Sequence, residues 1–283
     1  MDRRILAGVV TYNPDISRLI ECLSSIEKQV GQLLVVDNAS DNRSKIMETV
    51  PECIKNKIVF INNPDNMGIA AALRQIMDYA QEKRYDWVFT MDQDSVLESG
   101  LIDRYISLID DEEFQNTGIF TCLIRDRNFS DLNNEKQKTD VEEVDFCITS
   151  GALTNVEKYL KTTGYDASFF IDGVDFDISY AIREQGYHIH RVNYMGIYHE
   201  VGNGENRKFF DKKIVIYHHK PFRIYYMARN TIWINKRHKK LFGTKEMIKR
   251  LMVLFVKIVL YEDQKPEKCK QFFKGILSAR KGR

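Results

Sequence analysis

Two carboxylates one residue apart, Asp92 and Asp94, end the run Tyr85-Asp86-Trp87-Val88-Phe89-Thr90-Met91-Asp92-Gln93-Asp94. Trp87, Val88 and Phe89 are uncharged strand formers, as a strand covered on both faces requires. Side chains two apart on a strand point the same way, so Asp92 and Asp94 can converge on one ion. Held about 4 Å apart they would repel by roughly 4 kcal/mol at a surface-like dielectric, a cost that a divalent cation removes. Mg²⁺ takes one or two carboxylates and fills its other positions with phosphate oxygens and water. The spacing alone does not decide the matter. A second D-x-D triplet, Asp175 and Asp177, stands elsewhere in the chain, and a solvated strand-end turn reads the same way.

The elements that must position this acidic tip are legible upstream of it. Residues 5–10 (Ile-Leu-Ala-Gly-Val-Val) form a buried strand, stopped by Pro14 and Asp15, which open a helix with Ile16, Leu19, Ile20, Leu23 and Ile26 on one face. Residues 33–36 and 58–61 are further apolar strands, and Ile69, Leu73, Ile76, Met77 and Ala80 mark a helix before the Trp87 strand. Such alternation predicts a parallel sheet with right-handed crossovers. Ligands of open α/β sheets sit outside the carboxyl ends of the strands. Polar residues collect at each of these ends: Thr11 and Asn13, Asp37 and Asn38, Asn66 and Gly68, Asp92 and Asp94. Any one cluster is ordinary turn chemistry; four on one edge suggest a site. An acidic residue after the second strand suits a ribose or base. Neither G-x-G-x-x-G nor G-x-x-x-x-G-K-[ST] occurs, so a pyrophosphate is left to a metal at Asp92 and Asp94.

Val10-Thr11-Tyr12-Asn13, Val36-Asp37-Asn38-Ala39-Ser40, Asn66-Met67-Gly68-Ile69-Ala70-Ala71-Ala72 and Asp92-Gln93-Asp94 resemble, in order and spacing, the family 2 glycosyltransferases of GT-A fold. More narrowly they look like the bacterial rhamnosyltransferase branch, over about residues 5–235. The resemblance implies an α/β, GT-A type nucleotide-diphospho-sugar transferase fold, a mostly parallel central sheet flanked by helices with a C-terminal helical extension. It implies a nucleotide-sugar donor, dTDP- or UDP-linked, near Thr11, Tyr12, Asn13, Asp37, Asn66 and Gly68. Asp92, Gln93 and Asp94 would meet the metal and diphosphate.

Further along, residues 126–143 read as an exposed polar excursion and 144–153 as a strand ending in a Ser-Gly turn. Gly151 can let a substrate approach the backbone, or simply make a bend, and the family has a similar Thr-Ser-Gly segment lining its sugar and acceptor site. In Phe169-Phe170-Ile171-Asp172-Gly173-Val174-Asp175 the apolar neighbours of Asp172 would raise its pKa. Displacement at an anomeric carbon needs a base for the acceptor hydroxyl. Asp172 and Asp175 match acidic positions of the resembling enzymes, while Gly173 stands where many carry a second acid. The base is therefore Asp172 or Asp175, with Asp172 favoured, unless both only cap the following helix. His199 matches the family's His in a His-x-x-Gly segment, a third metal ligand better suited to Mn²⁺ than to Mg²⁺. Tyr225-Tyr226-Met227-Ala228-Arg229-Asn230 matches the branch's Tyr-Tyr-x-x-Arg-Asn. Arg229 suits a bidentate contact to donor phosphates, or else a helix-packing ion pair.

Charge divides the chain of 283 residues. Residues 1–204 carry 20 Lys and Arg against 34 Asp and Glu, while residues 205–283 carry 22 against 6. The expected organisation is a catalytic domain over 1–204 and a basic, mainly helical module over 205–283. An apolar helix containing Met247, Ile248, Leu251, Met252, Phe255 and Ile258 lies in that module, too short and too interrupted by Lys257 to span a bilayer. It reads either as a membrane-surface helix or as ordinary packing against its own domain or a dimer partner. Without a nucleic-acid-binding motif, the basic charge does not point to nucleic acid. Five scattered Cys without C-x-x-C spacing predict reduced thiols, and no signal-peptide pattern precedes the first strand. A cytoplasmic protein, peripheral at the inner face of the membrane, is expected. Its expected activity is inverting, divalent-cation-dependent transfer of a sugar, L-rhamnose from dTDP-L-rhamnose, to a lipid-linked glycan in cell-surface polysaccharide synthesis. The rivals are a nucleotidyltransferase making nucleotide sugars and an inactive, membrane-associated nucleotide-sugar-binding subunit.

Overall fold

The computed structural model describes residues 4–126, 140–199, 205–209 and 212–281. Four strands run parallel: β1 (Ile5–Thr11), β2 (Gln32–Asp37), β3 (Ile58–Asn62) and β4 (Trp87–Asp92). Between them lie α1 (Ile16–Glu27), α2 (Arg43–Thr49), α3 (Glu52–Lys55) and α4 (Ile69–Glu82). Alternate residues of each strand supply opposite faces, as the two-residue repeat demands. Ala7, Val9, Leu33, Val35 and Phe89 pack with α1, α2 and α3. Leu6, Leu34, Val36 and Val88 pack with Ala72, Leu73 and Ile76 of α4. The Asp15 carboxylate caps α1 by accepting from the Arg18 amide at 3.1 Å.

The register sets the strand tips level. Thr11 pairs with Asp37, Asp37 with Asn62, and Val10 with Asp92. The polar strand ends therefore form one edge, as the alternation predicts.

Beyond β4 the sheet changes character. Next come β5 (Val96–Leu97), α5 (Leu101–Ile109), β6 (Thr117–Asp126), β7 (Val141–Glu143), β8 (Ala152–Asn155), α6 (Val156–Leu160), α7 (Val174–Glu184) and β9 (His188–His199). Among the described residues the order across the sheet is β3-β2-β1-β4-β8-β6-β9-β5, with β7 also on β9. β8 is antiparallel to both β4 and β6, while β6 and β9 are parallel.

One expectation is corrected here. The strand expected over 144–153 begins only at Ala152. Gly151 has φ of +81°, and the Thr149 amide donates to Asp175 Oδ1 at 2.8 Å while its carbonyl accepts from the Thr90 hydroxyl at 2.6 Å. Side chains thus take the backbone groups a ladder would use. Residues 194–199 form the last part of β9. Of the polar excursion 126–143, residues 127–139 lie outside the described residues.

The chain closes with a two-stranded ribbon, β10 (Glu205–Phe209) and β11 (Lys212–Ile216), and three helices, α8 (Pro221–Arg237), α9 (Thr244–Leu260) and α10 (Lys265–Lys281). α8 belongs to two cores. Ile234 and Trp233 join the layer containing α4 and α7, while Ile224 and Ala228 pack with Ile258 of α9 and Phe272 of α10. Among the described residues no helix is long and apolar enough to cross a membrane.

Candidate active site

A cleft of about 1150 Å³ opens over the level strand tips. Its sheet side consists of Val10, Tyr12, Asn38, Asn66, Gly68 and Ile69, with Asp92, Gln93 and Asp94 at the end of β4. Its other wall comes from Phe170, Ile171 and the segment leading into α8: Tyr217, His218, His219, Lys220, Phe222, Arg223 and Tyr226. One wall is acidic and amide-rich, the facing one basic and aromatic. That polarity suits an anionic ligand with a planar ring.

The carboxylate tip is braced from beneath. The Asp92 amide donates to Ser150 Oγ at 3.2 Å, and Ser150 in turn donates to the buried Ser95 hydroxyl at 3.3 Å. Gln93 fixes the tip of β1, accepting from the Tyr12 amide at 2.8 Å and donating to its carbonyl at 3.4 Å. This leaves the Tyr12 ring, 48% exposed, beside the cleft. Cys22 of α1 donates its thiol proton to the Asp92 carbonyl at 3.4 Å. Burial pushes that thiol's pKa up, and the charges of Asp92 and Asp94 push it further. Asp92 and Asp94 both line the cleft and offer hard oxygen donors of the kind that Mg²⁺ or Mn²⁺ takes. His199 ends β9, and its side chain lies outside the described residues.

Asp37 and Thr11 sit below the cleft rather than in it. The Thr11 hydroxyl donates to Asp37 Oδ1 at 2.9 Å, and Asp37 Oδ2 accepts from the Ser40 amide at 3.0 Å and from Arg43 Nε at 2.8 Å. Burial alone would raise the Asp37 carboxyl, but its bonds to Ser40, Arg43 and Thr11 outweigh it and hold the pKa low. Asn13, at φ of +47°, spans the same turn through the Asp41 amide and carboxylate. Asn38 accepts from Asn63 Nδ2 and the Met67 amide and donates to Asn66 Oδ1, which also accepts from the Gly68 amide. The buried Asn38 and Asn63 amides thus tie the ends of β2 and β3 to the start of α4. Gly68 has φ of +83°, and a Cβ there would stand 2.4 Å from the Phe170 carbonyl oxygen. Only glycine fits this approach.

Asp172 and Asp175 point to different partners. The Asp172 carboxylate is held by both arms of cleft-lining Arg223, at 3.1 Å and 2.5 Å. Asp175 accepts from the Thr149 amide, and burial, with the Asp172 charge adding to it, raises its pKa. The backbone carrying Asp172 is unusual, since Phe170, Asp172 and Gly173 all have positive φ. α8 holds it in place. Asn230 Nδ2 lies 3.0, 2.9 and 2.7 Å from the carbonyl oxygens of Phe169, Ile171 and Asp172. Arg229 donates to the Ser168 and Phe169 carbonyls at 2.6 and 3.2 Å and stacks over Trp233 at 4.0 Å. Arg229 is therefore buried behind the loop and does not line the cleft. Gly151 is likewise internal, closed off by Ile197.

The model of the family described as glycosyl transferase family 2 matches residues 7–173. The chain belongs to that family. A dTDP-rhamnosyl transferase, RfbF, from Shigella flexneri is 26% identical over 250 residues, covering 84% of this chain and 82% of that protein. Among solved structures, residues 1–349 of S. aureus TarS superpose with a TM-score of 0.62 at 13% identity, covering 98% of this chain and 80% of that one. GalNAc-T7, solved with UDP, GalNAc and Mn²⁺, gives 0.62 at 12% identity over 99% of this chain and 57% of its own. The fold is GT-A, and this family 2 protein is a nucleotide-sugar glycosyltransferase.

Several cleft residues of this transferase escaped the motif-based reading. Tyr226 lies within the segment singled out for Arg229 and Arg223 two residues before it, yet nothing in their spacing says which faces the cleft. Phe170 and Tyr226 stack at 5.1 Å across the wall, a pairing separated by 56 residues in the sequence. Burial, and beyond it the Arg223 charge, holds the His219 pKa down.

Proposed function

We propose that this transferase moves a deoxysugar, L-rhamnose from dTDP-L-rhamnose, onto a hydroxyl of a lipid-linked glycan with inversion at the anomeric carbon. The observation that carries the reading is the cleft between the Asp92–Asp94 tip and Arg223, whose guanidinium holds Asp172 behind the wall. The RfbF likeness supports the donor. Tyr12, which lines the cleft, would stack on the base, and His218, Lys220 and Arg223 would offer cationic or polar groups to the phosphates. Asp92 and Asp94 would hold a divalent cation, Mn²⁺ or Mg²⁺, whose charge stabilises the diphosphate as it leaves.

Asp172 is the proposed base. It takes the proton of the acceptor hydroxyl, whose oxygen bonds to the anomeric carbon as the bond from that carbon to the diphosphate oxygen breaks. One displacement inverts the centre. Arg223 orients both carboxylate oxygens, and Asp175 shapes the neighbouring Thr149–Gly151 turn. Positioning of donor and acceptor in one cleft supplies the entropic part of the acceleration.

A panel of nucleotide sugars tests this, with nucleoside diphosphate release measured with and without a polyprenyl-linked glycan. Release from dTDP-L-rhamnose that depends on the glycan is the expected result. Preference for another donor would remove the rhamnose assignment, and pyrophosphate release from a nucleoside triphosphate plus a sugar phosphate would replace transfer by nucleotidyl chemistry.

A further inference from the structure

α9 turns Met247, Leu251, Leu254, Phe255 and Ile258 toward the cores, with Ile258 its one fully buried residue. Ile248, Met252, Val256 and Val259, spaced by three or four residues, stand exposed along one face, Met252 at 62%. α10 repeats the pattern with cations set into it: Lys270, Phe273, Lys274 and Leu277 border a shallow groove, with Phe273 and Leu277 more than half exposed. The two faces meet where the Phe273 ring packs on Phe255 of α9 at 5.6 Å. A continuous apolar surface of this kind marks an interaction site.

Charge selects the occupant. Residues 244–283 carry eleven Lys and Arg against four Asp and Glu. The four acids are paired within the module: Glu246 with Lys249 and Arg250, Glu262 and Asp263 with Lys268, and Glu267 with Lys270. A second copy of the chain would set the same cations against this face. An anionic surface complements them, and lysines beside exposed apolar side chains can snorkel to headgroups while their neighbours sink into the acyl boundary.

We propose that the outward faces of α9 and α10 dock on an anionic lipid bilayer. The turn between the two helices bears Glu262 and Asp263, each 3.8 Å from His218 of the cleft wall. The docking helices are thus joined directly to the cleft wall. The consequence for catalysis, access to a lipid-anchored acceptor, rests on the proposed function; the docking itself does not.

Flotation of the full-length protein with vesicles of phosphatidylcholine, with and without phosphatidylglycerol, tests it in the absence of donor and acceptor. Binding is expected only to the anionic vesicles and should weaken as salt is raised. Lys270→Glu/Lys274→Glu should lower partitioning by about tenfold or more, and Met252→Glu/Phe273→Glu should abolish it. Both double variants should keep the wild-type circular dichroism spectrum and nucleotide-sugar turnover, since these exposed residues lie outside the cleft. Equal binding to neutral vesicles, no binding to either, or a dimer in light scattering that Met252→Glu dissociates would overturn the proposal. Failure of sugar transfer would leave the flotation result standing.

Discussion

Asp172 and Asp175 carry the same group three positions apart and face different work. Asp172 shares Arg223 with the cleft, whereas Asp175 spends an oxygen on the Thr149 amide. Asp172→Asn is expected to lower kcat by about 10²- to 10⁴-fold, the span of general base catalysis, while calorimetry finds the donor affinity unchanged. Asp175→Asn keeps an acceptor for Thr149 and should cost far less turnover; the reverse outcome would make Asp175 the base. Asp37 gives a second test, of stability. Its folded pKa lies below the ordinary 3.8, so its contribution is present above that value and is lost as pH falls through the folded one. Thr11→Val removes a donor from a buried carboxylate and should cost about 1–3 kcal/mol at neutral pH by urea unfolding. The midpoint of acid unfolding should move to higher pH.

α8 is the element that joins architecture to chemistry. Its Asn230 amide reaches three carbonyls of a loop with three positive φ values, a conformation that persists only when its surroundings impose it. Asn230→Ala should reduce kcat more than it changes the donor KM, since the loop carries Asp172 and not the strand tips. At the end of α8, His238 sits between Asp177 and Glu184 at 2.9 and 2.8 Å. Burial alone would lower its pKa, but these two carboxylates outweigh it and raise it above 6.5. Its stabilisation is thus complete below 6.5 and is lost as pH rises through the raised value. The urea midpoint of the wild type should therefore fall on going to mildly alkaline pH, and that of His238→Gln should fall less. None of this clamp is visible in the local sequence. Arg229 reads in the sequence as a phosphate contact or a helix-packing cation, but its partners at Ser168 and Phe169 lie about 60 residues away, and periodicity carries no information about such contacts.

Over the whole molecule, the first four strands and the helices α1 and α4 were legible because each apolar run ends in turn chemistry and each of these two helices shows one apolar stripe, while the short α2 and α3 were not foreseen. The level tips followed from the parallel sheet, and with them Tyr12, Asn66, Gly68, Asp92, Gln93 and Asp94 came together in the cleft. The second half was harder to read. Residues 144–150 are apolar enough for a strand, yet Thr90 and Asp175 capture the Thr149 backbone. The division of charge near residue 204 is real in composition, while Ile234 and Trp233 of α8 pack into the layer shared by α4 and α7. The most direct measurement is calorimetric titration of dTDP into protein freed of metal by a chelator, with and without added Mn²⁺, repeated on Asp94→Asn. Tight binding is predicted only for the wild type with Mn²⁺, weakened on the order of 10²-fold by chelation or by the substitution, as the loss of several kcal/mol of charge stabilisation requires. Equal affinity with and without the cation, or with Asp94 replaced, would contradict a cation seat at the tip of β4.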